Sequence, residues 1–167
     1  MVDAPRISIH IVEKWQHTFT GIQFHDEKHN FLLYGGVDDI MIDEEDKLVV
    51  IDFKATAKKA DILSSADVYN NGESYKRQLE VYSWLLKQNG FDLSDIGYLM
   101  YYNGDASKPH LGREMYFRRT LVPFTLDTSW IGPQVEAMYN CLQLDDAPDF
   151  NNSKCEDCLY LTTVSKL

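Results

Sequence analysis

Residues 35–55, reading GGVDDIMIDEEDKLVVIDFKA, leave few folds open. Two apolar runs, 37–42 and 48–55, flank an acidic connector, 43–47. That arrangement predicts an antiparallel hairpin. If Ile42 faces Leu48 across the turn, Asp38 faces Asp52 and Gly36 faces Lys54. Side chains alternate faces along a strand, so Asp38, Asp52 and Lys54 share one face. Ile40, Ile42, Leu48 and Val50 lie on that face, and Val37, Met41, Val49, Ile51 and Phe53 on the other. Strands apolar on both faces are usually interior, so both are expected inside a sheet.

Opposed residues on paired strands have Cβ atoms about 5 Å apart, where like charges repel. Buried carboxylates must be protonated, paired or bound to metal. Two carboxylates at this separation suit a hard divalent cation such as Mg²⁺ or Mn²⁺. Lys54, one pleat away, would hold a water or steady a phosphoryl oxygen. The competing reading is a structural Asp–Lys pair with Asp38 at a strand end, and the pattern alone leaves the two level. A register slip of one residue would separate the acids and remove the argument.

The chain has 167 residues, 44% hydrophobic and 13% aromatic, which suits one globular domain spanning 1–167. No apolar run approaches a membrane span, and no signal peptide is evident. Three cysteines make a disulfide scaffold unexpected and a reducing cytoplasm the default. A net charge of −10 argues against broad adhesion to nucleic acid, though not against a local basic groove.

Residues 1–17 fit either a short strand (Ile7, Ile9, Ile11) or a helix face (Ile11, Trp15, Thr18). The opening is abrupt, and a piece upstream is expected to be missing. Residues 21–25 and 31–35 predict two strands joined by 26–30. Residues 56–72 are polar, carry Lys58 and Lys59, and predict a loop with one short helical turn. The strongest helix is 73–89, stopped by Gly90, with Tyr75, Leu79, Tyr82 and Leu86 as its core stripe. Gln78 sits at the edge of that stripe, while Lys76, Arg77, Glu80 and Lys87 lie outside it. Residues 96–103 predict a central strand. Residues 114–126 predict another, broken by Arg118 and Arg119 and pushed to an edge by Pro123. Thr128 or Ser129 would cap a helix from Trp130 to about Leu144, with Val135, Met138, Tyr139 and Leu142 as its apolar side. In the tail, Cys155 and Cys158 form a C-x-x-C pair. Structural zinc needs four ligands, and Cys141 alone remains, so a complete zinc or cluster site from this chain alone is not expected.

Three pieces stand in order: Gly36-Val37-Asp38, then Val50-Ile51-Asp52-Phe53-Lys54-Ala55-Thr56, then Gln78-Leu79-Glu80-Val81-Tyr82. Together they resemble the RecB-type branch of the PD-(D/E)XK nuclease superfamily over about residues 31–103. Cys155-x-x-Cys158-x-Tyr160 resembles part of the iron–sulfur motif of CRISPR-associated and AddB-type nucleases. The resemblance implies an α/β, restriction-endonuclease-like core with a mixed sheet flanked by helices, followed by a helix and Cys-containing tail at 129–167. It implies metal-dependent hydrolysis of DNA in repair, recombination or defence. Asp38, Asp52 and the Phe53 carbonyl would ligate Mg²⁺ or Mn²⁺, and Lys54 would activate the water. Gln78 and Tyr82 would orient the site, and Lys58, Lys59, Lys76 and Arg77 would hold backbone phosphates. Two departures stand out. The family's upstream His or Glu ligand has no evident helix here, His10 being a poor match, and the last cluster cysteine is absent. The alternative is an inactive module of the same fold that binds nucleic acid or a protein partner.

Overall fold

The computed structural model describes residues 9–17, 19–105, 107, 114–146 and 156–164. Residues 1–131 and 132–167 form two compact units. The first opens with helix α1 (Ile9–Trp15), so the helical reading of this stretch prevails over the strand. Strands β1 (Ile22–Asp26) and β2 (Phe31–Gly35) pair antiparallel as a separate two-stranded sheet. Gly21 enters this ribbon at a φ of 48°, and a Cβ there would lie 2.2 Å from the Gly35 carbonyl oxygen, so no side chain fits.

The main sheet has the order β3-β4-β5-β6. Strands β3 (Asp39–Ile42) and β4 (Leu48–Thr56) form the expected hairpin in the expected register, Ile42 facing Leu48 and Asp39 facing Ile51. The acidic connector has a structural use. Asp43 Oδ1 accepts the backbone N–H groups of Glu45 and Lys47, both at 2.9 Å, and Asp46 takes a φ of 61°. Short polar side chains satisfy a turn's backbone in this way and tolerate that conformation.

Strand β5 (Ile96–Gly104) runs parallel to β4, and β6 (Phe117–Thr125) runs antiparallel to β5. Parallel neighbours need a long crossover. Here it contains two short 3₁₀ turns, Ser65–Asp67 and Tyr69–Gly72, and helix α2 (Glu73–Gln88). Leu79, Leu85 and Leu86 of α2 are fully buried against Val37, Val50, Leu99 and Val122. Burying each leucine contributes about 2 kcal/mol. Tyr75 and Tyr82 are half-buried against the same core, so the predicted stripe holds.

Three expectations need correction. Strand β3 is an edge, and its Met41 and Ile42 are exposed, because of the two hairpin strands β4 alone has a neighbour on each side. Glu80, read as lying outside the packed stripe, is 3% exposed. Its two oxygens accept the Asp127 backbone N–H at 2.9 Å and the Trp130 indole N–H at 2.8 Å, tying α2 to the segment after β6. Hydrogen-bond demand from the neighbouring segment overrides the outward reading.

The second unit holds most of α3 (Ile131–Leu142), together with α4 (Glu156–Val164). The third correction lies here. Val135 is buried, but Met138 and Leu142 are exposed, so the apolar stripe of α3 is not a packed face. Cys158 is half-buried on α4 and Cys141 is exposed on α3. Cys155 lies outside the described residues, and with it the C-x-x-C pair as a pair. No described helix is long and apolar enough to cross a membrane.

Candidate active site

Strand β4 changes character half-way along. Residues 48–52 are buried, and from Phe53 onward the strand emerges, alternating exposed and half-buried. Asp52, 1% exposed, is the last residue of the buried stretch. A carboxylate here loses its hydration, and burial pushes Asp52 above the usual carboxylate range. The adjacent Lys54 ammonium draws it down again and the negative charge of Asp38 adds to the rise. Asp52 Oδ2 forms a buried ion pair with Lys54 Nζ.

Asp38 stands in the bend before β3, one step past the last paired residue, Asp39. It is solvent-exposed, not buried as a central strand would have made it, because β3 begins only at Asp39. Its Oδ2 accepts the Phe53 backbone N–H at 2.8 Å, which brings it to the emergence point of β4. Its own carbonyl accepts Gln16 Nε2 at 2.8 Å, and the Trp15 carbonyl accepts the Val37 N–H at 2.9 Å. The end of α1 and the residue after it therefore hold the Asp38 segment. Sequence reasoning missed Gln16. The Ile11–Trp15 spacing, followed one residue further, was the available signal.

Helix α2 supplies the other side. Lys54 Nζ donates to Gln78 Oε1 at 3.2 Å, and Gln78 Nε2 donates to the Tyr82 hydroxyl at 2.8 Å. Used at both ends, the Gln78 amide has one orientation. The Lys54 ammonium also lies 4.7 Å from the centre of the Tyr75 ring, a cation–π contact the sequence did not suggest. Burial raises Tyr82 above the ordinary phenol range despite the Gln78 hydrogen bond, so its hydroxyl stays protonated. Tyr101, opposite Lys54 on β5, is pushed up to about 12 by burial, by Tyr75 and by Asp52. Gly35 permits the Tyr82 position, since a Cβ there would meet Tyr82 Cε1 at 2.8 Å.

Asp38, Asp52, Lys54, Gln78 and Tyr82 thus form one continuous cluster. The sequence profile of the PD-(D/E)XK nuclease superfamily matches residues 4–163. The chain belongs to this superfamily. Its fold is the restriction-endonuclease-like α/β fold, a mixed four-stranded sheet with α2 packed on it. No curated protein and no solved structure matches the chain.

PD-(D/E)XK nucleases act on nucleic acid and typically use divalent metals such as Mg²⁺. The donor set here fits a hard cation. Asp52 offers a buried carboxylate that already faces one cation, Lys54, and Asp38 brings a second carboxylate beside it. Among the described residues no group of three or more His, Cys, Asp or Glu side chains is placed to hold a metal. A cation here would draw on two carboxylates and backbone or solvent oxygens.

The four cations proposed for phosphate contact fare differently. Lys76 Nζ lies 3.6 Å from Glu80 Oε1, and Arg77 is exposed on α2 without a described partner. Lys58 Nζ donates to the Asp67 carbonyl at 3.0 Å. Lys59 and Lys58 line a cleft with Arg118. Arg118 stood out in the sequence only as a charge interrupting an apolar strand.

Proposed function

We propose that this chain is a metal-dependent deoxyribonuclease of the RecB-type branch, hydrolysing phosphodiester bonds in DNA repair, recombination or defence. The observation that carries the reading is the Asp38–Asp52–Lys54 cluster at the point where β4 leaves the core, with Lys54 held by Gln78. Asp38, Asp52 and the Phe53 carbonyl would hold Mg²⁺ or Mn²⁺. Such an ion supplies Lewis acidity and a bound water of lowered pKa.

The chain's own groups do the remainder. Lys54 presents a fixed positive charge where negative charge develops on the phosphate, and it orients the attacking water. Its ammonium is placed by Asp52, Gln78 and the Tyr75 ring, so little reorganisation is needed. Tyr82 fixes Gln78 and retains an O–H that can donate to the strand. Leu99 and Val50, buried beside Asp52 on the same face of the sheet, make its surroundings apolar.

The decisive assay is cleavage of linear DNA with Mn²⁺. Activity should vanish with EDTA and fall by about 10²–10³ or more in Lys54→Ala, the scale of losing a transition-state donor. Asp52→Asn should be inactive. Calorimetry showing no divalent ion bound at millimolar concentration would overturn catalysis and leave the alternative, an inactive module that binds nucleic acid or a protein partner.

A further inference from the structure

A cleft of about 330 Å³ opens between the segment after β4 and the start of β6, lined by Lys58, Lys59, Asp105, Ser107 and Arg118. Three of these are cations, in a chain of net charge −10, so the concentration is local and not a general property of the surface. Arg118 is held in place. Its Nε lies 3.0 Å from Asp61 Oδ1, and its Nη2 donates to the Lys58 carbonyl at 3.1 Å. Those contacts leave Nη1 without a partner among the described residues. The Lys59 ammonium likewise has no hydrogen bond or ion pair there. Asp105 is engaged locally, its Oδ1 accepting the Ser107 N–H at 3.0 Å and Oγ–H at 2.6 Å. Lys58 sits on the Asp67 segment and Arg118 on Asp61, which leaves the Lys59 ammonium and Arg118 Nη1 as the donors for one phosphodiester.

The sheet register places this cleft relative to the carboxylates. Lys54 faces Tyr101 and Tyr101 faces Thr120, while one pleat further Thr56 faces Asn103 and Asn103 faces Arg118. Arg118 therefore shares the face that carries Asp52 and Lys54. Two strand spacings and one pleat separate it from Lys54, about 12 Å. At about 3.4 Å of rise per nucleotide, that span is two to four nucleotides of one strand.

We infer that the Lys58–Lys59–Arg118 cleft is a second phosphate subsite, which grips a phosphodiester two to four nucleotides from the bond cut at Asp38 and Asp52. The inference rests on the nuclease reading and deepens it. The cleft supplies register and orientation along the strand and reads no base. It also lets an acidic protein engage a polyanion, through cations gathered beside the sheet face that bears the site.

The test is metal-free binding of a short single-stranded oligonucleotide to the full chain, by fluorescence anisotropy in EDTA across a salt series. Lys59→Gln should weaken binding about fivefold and lower the log–log salt slope by about 1. In wild type, a single neutral methylphosphonate linkage moved along the oligonucleotide should reproduce that loss at one position, and there Lys59→Gln should add nothing further. Unchanged affinity and slope in both Lys59→Gln and Lys58→Gln/Lys59→Gln would overturn the subsite. So would displacement of the strand by inorganic phosphate, at constant ionic strength, from wild type but not from Lys59→Gln, which would make the cleft a free-phosphate site. The nuclease reading has its own readout: Asp52→Asn should abolish Mn²⁺-dependent cleavage while leaving metal-free binding intact.

Discussion

At the scale of single residues, Asp52 and Lys54 take their character from position. Asp52 is the last buried residue of β4, and Lys54 is two steps further out on the same face, so its ammonium reaches both the carboxylate and α2. Gly35 acts more quietly. Adding a methyl in Gly35→Ala places a carbon 2.8 Å from the Tyr82 ring, which is held between β2 and α2. Overpacking of this kind costs about 1–3 kcal/mol. Urea unfolding should show that loss, and the displaced ring should break the Gln78–Tyr82 bond. Tyr82→Phe separates the two effects, since it removes the hydroxyl without the clash and should cost about 1 kcal/mol. If Gly35→Ala proves as stable as wild type, the close approach of ring and strand is wrong.

At the scale of elements, α2 is fastened twice, by its leucines and by Glu80. Removing the buried carboxylate in Glu80→Ala strands the Asp127 N–H and the Trp130 indole N–H, and should cost about 3 kcal/mol. Glu80→Gln, which keeps one acceptor, should recover part of it. The crossover before α2 is pinned by Asp67, whose Oδ2 accepts the N–H groups of Leu63 and Ser64, both at 3.0 Å. Those bonds hold the Asp67 carboxyl below its ordinary value of 3.8. A depressed acid stabilises the fold above its unfolded pKa, and that stability is lost as pH falls through the native value. Wild type should therefore lose stability faster than Asp67→Asn between about pH 5 and 3. Parallel acid-denaturation curves would refute the assignment. The helix of α2 was readable because its 3.6-residue stripe dominates the pattern. The burial of Glu80 was not, because its partners lie on a segment remote in sequence.

At the scale of the whole molecule, the order of the mixed sheet sets the Asp52–Lys54 end of β4 and the Arg118 end of β6 on the face where α2 packs. A folded chain that binds a divalent ion through Asp38 and Asp52 is stabilised by mass action. At ten times Kd, Mn²⁺ should add about 1.4 kcal/mol. That corresponds to a rise in Tm of about 3–5 °C for a chain of this size. The rise should be absent in Asp52→Asn and reversed by EDTA. A rise that persists in Asp52→Asn would place the ion elsewhere.

The local pattern determined the hairpin, its register and the shared face of Asp52 and Lys54, because period-two alternation and an acidic turn leave one consistent pairing. It also determined the α2 stripe. Tertiary structure alone decided that β3 is an edge and Asp38 exposed, since exposure depends on which strand has a neighbour. It alone swung Gln78 and Tyr75 onto Lys54, brought the residue after α1 against the Asp38 carbonyl, and set Arg118 beside Lys59. Those contacts join elements far apart in the chain, and no periodicity within any one of them encodes the distance between them.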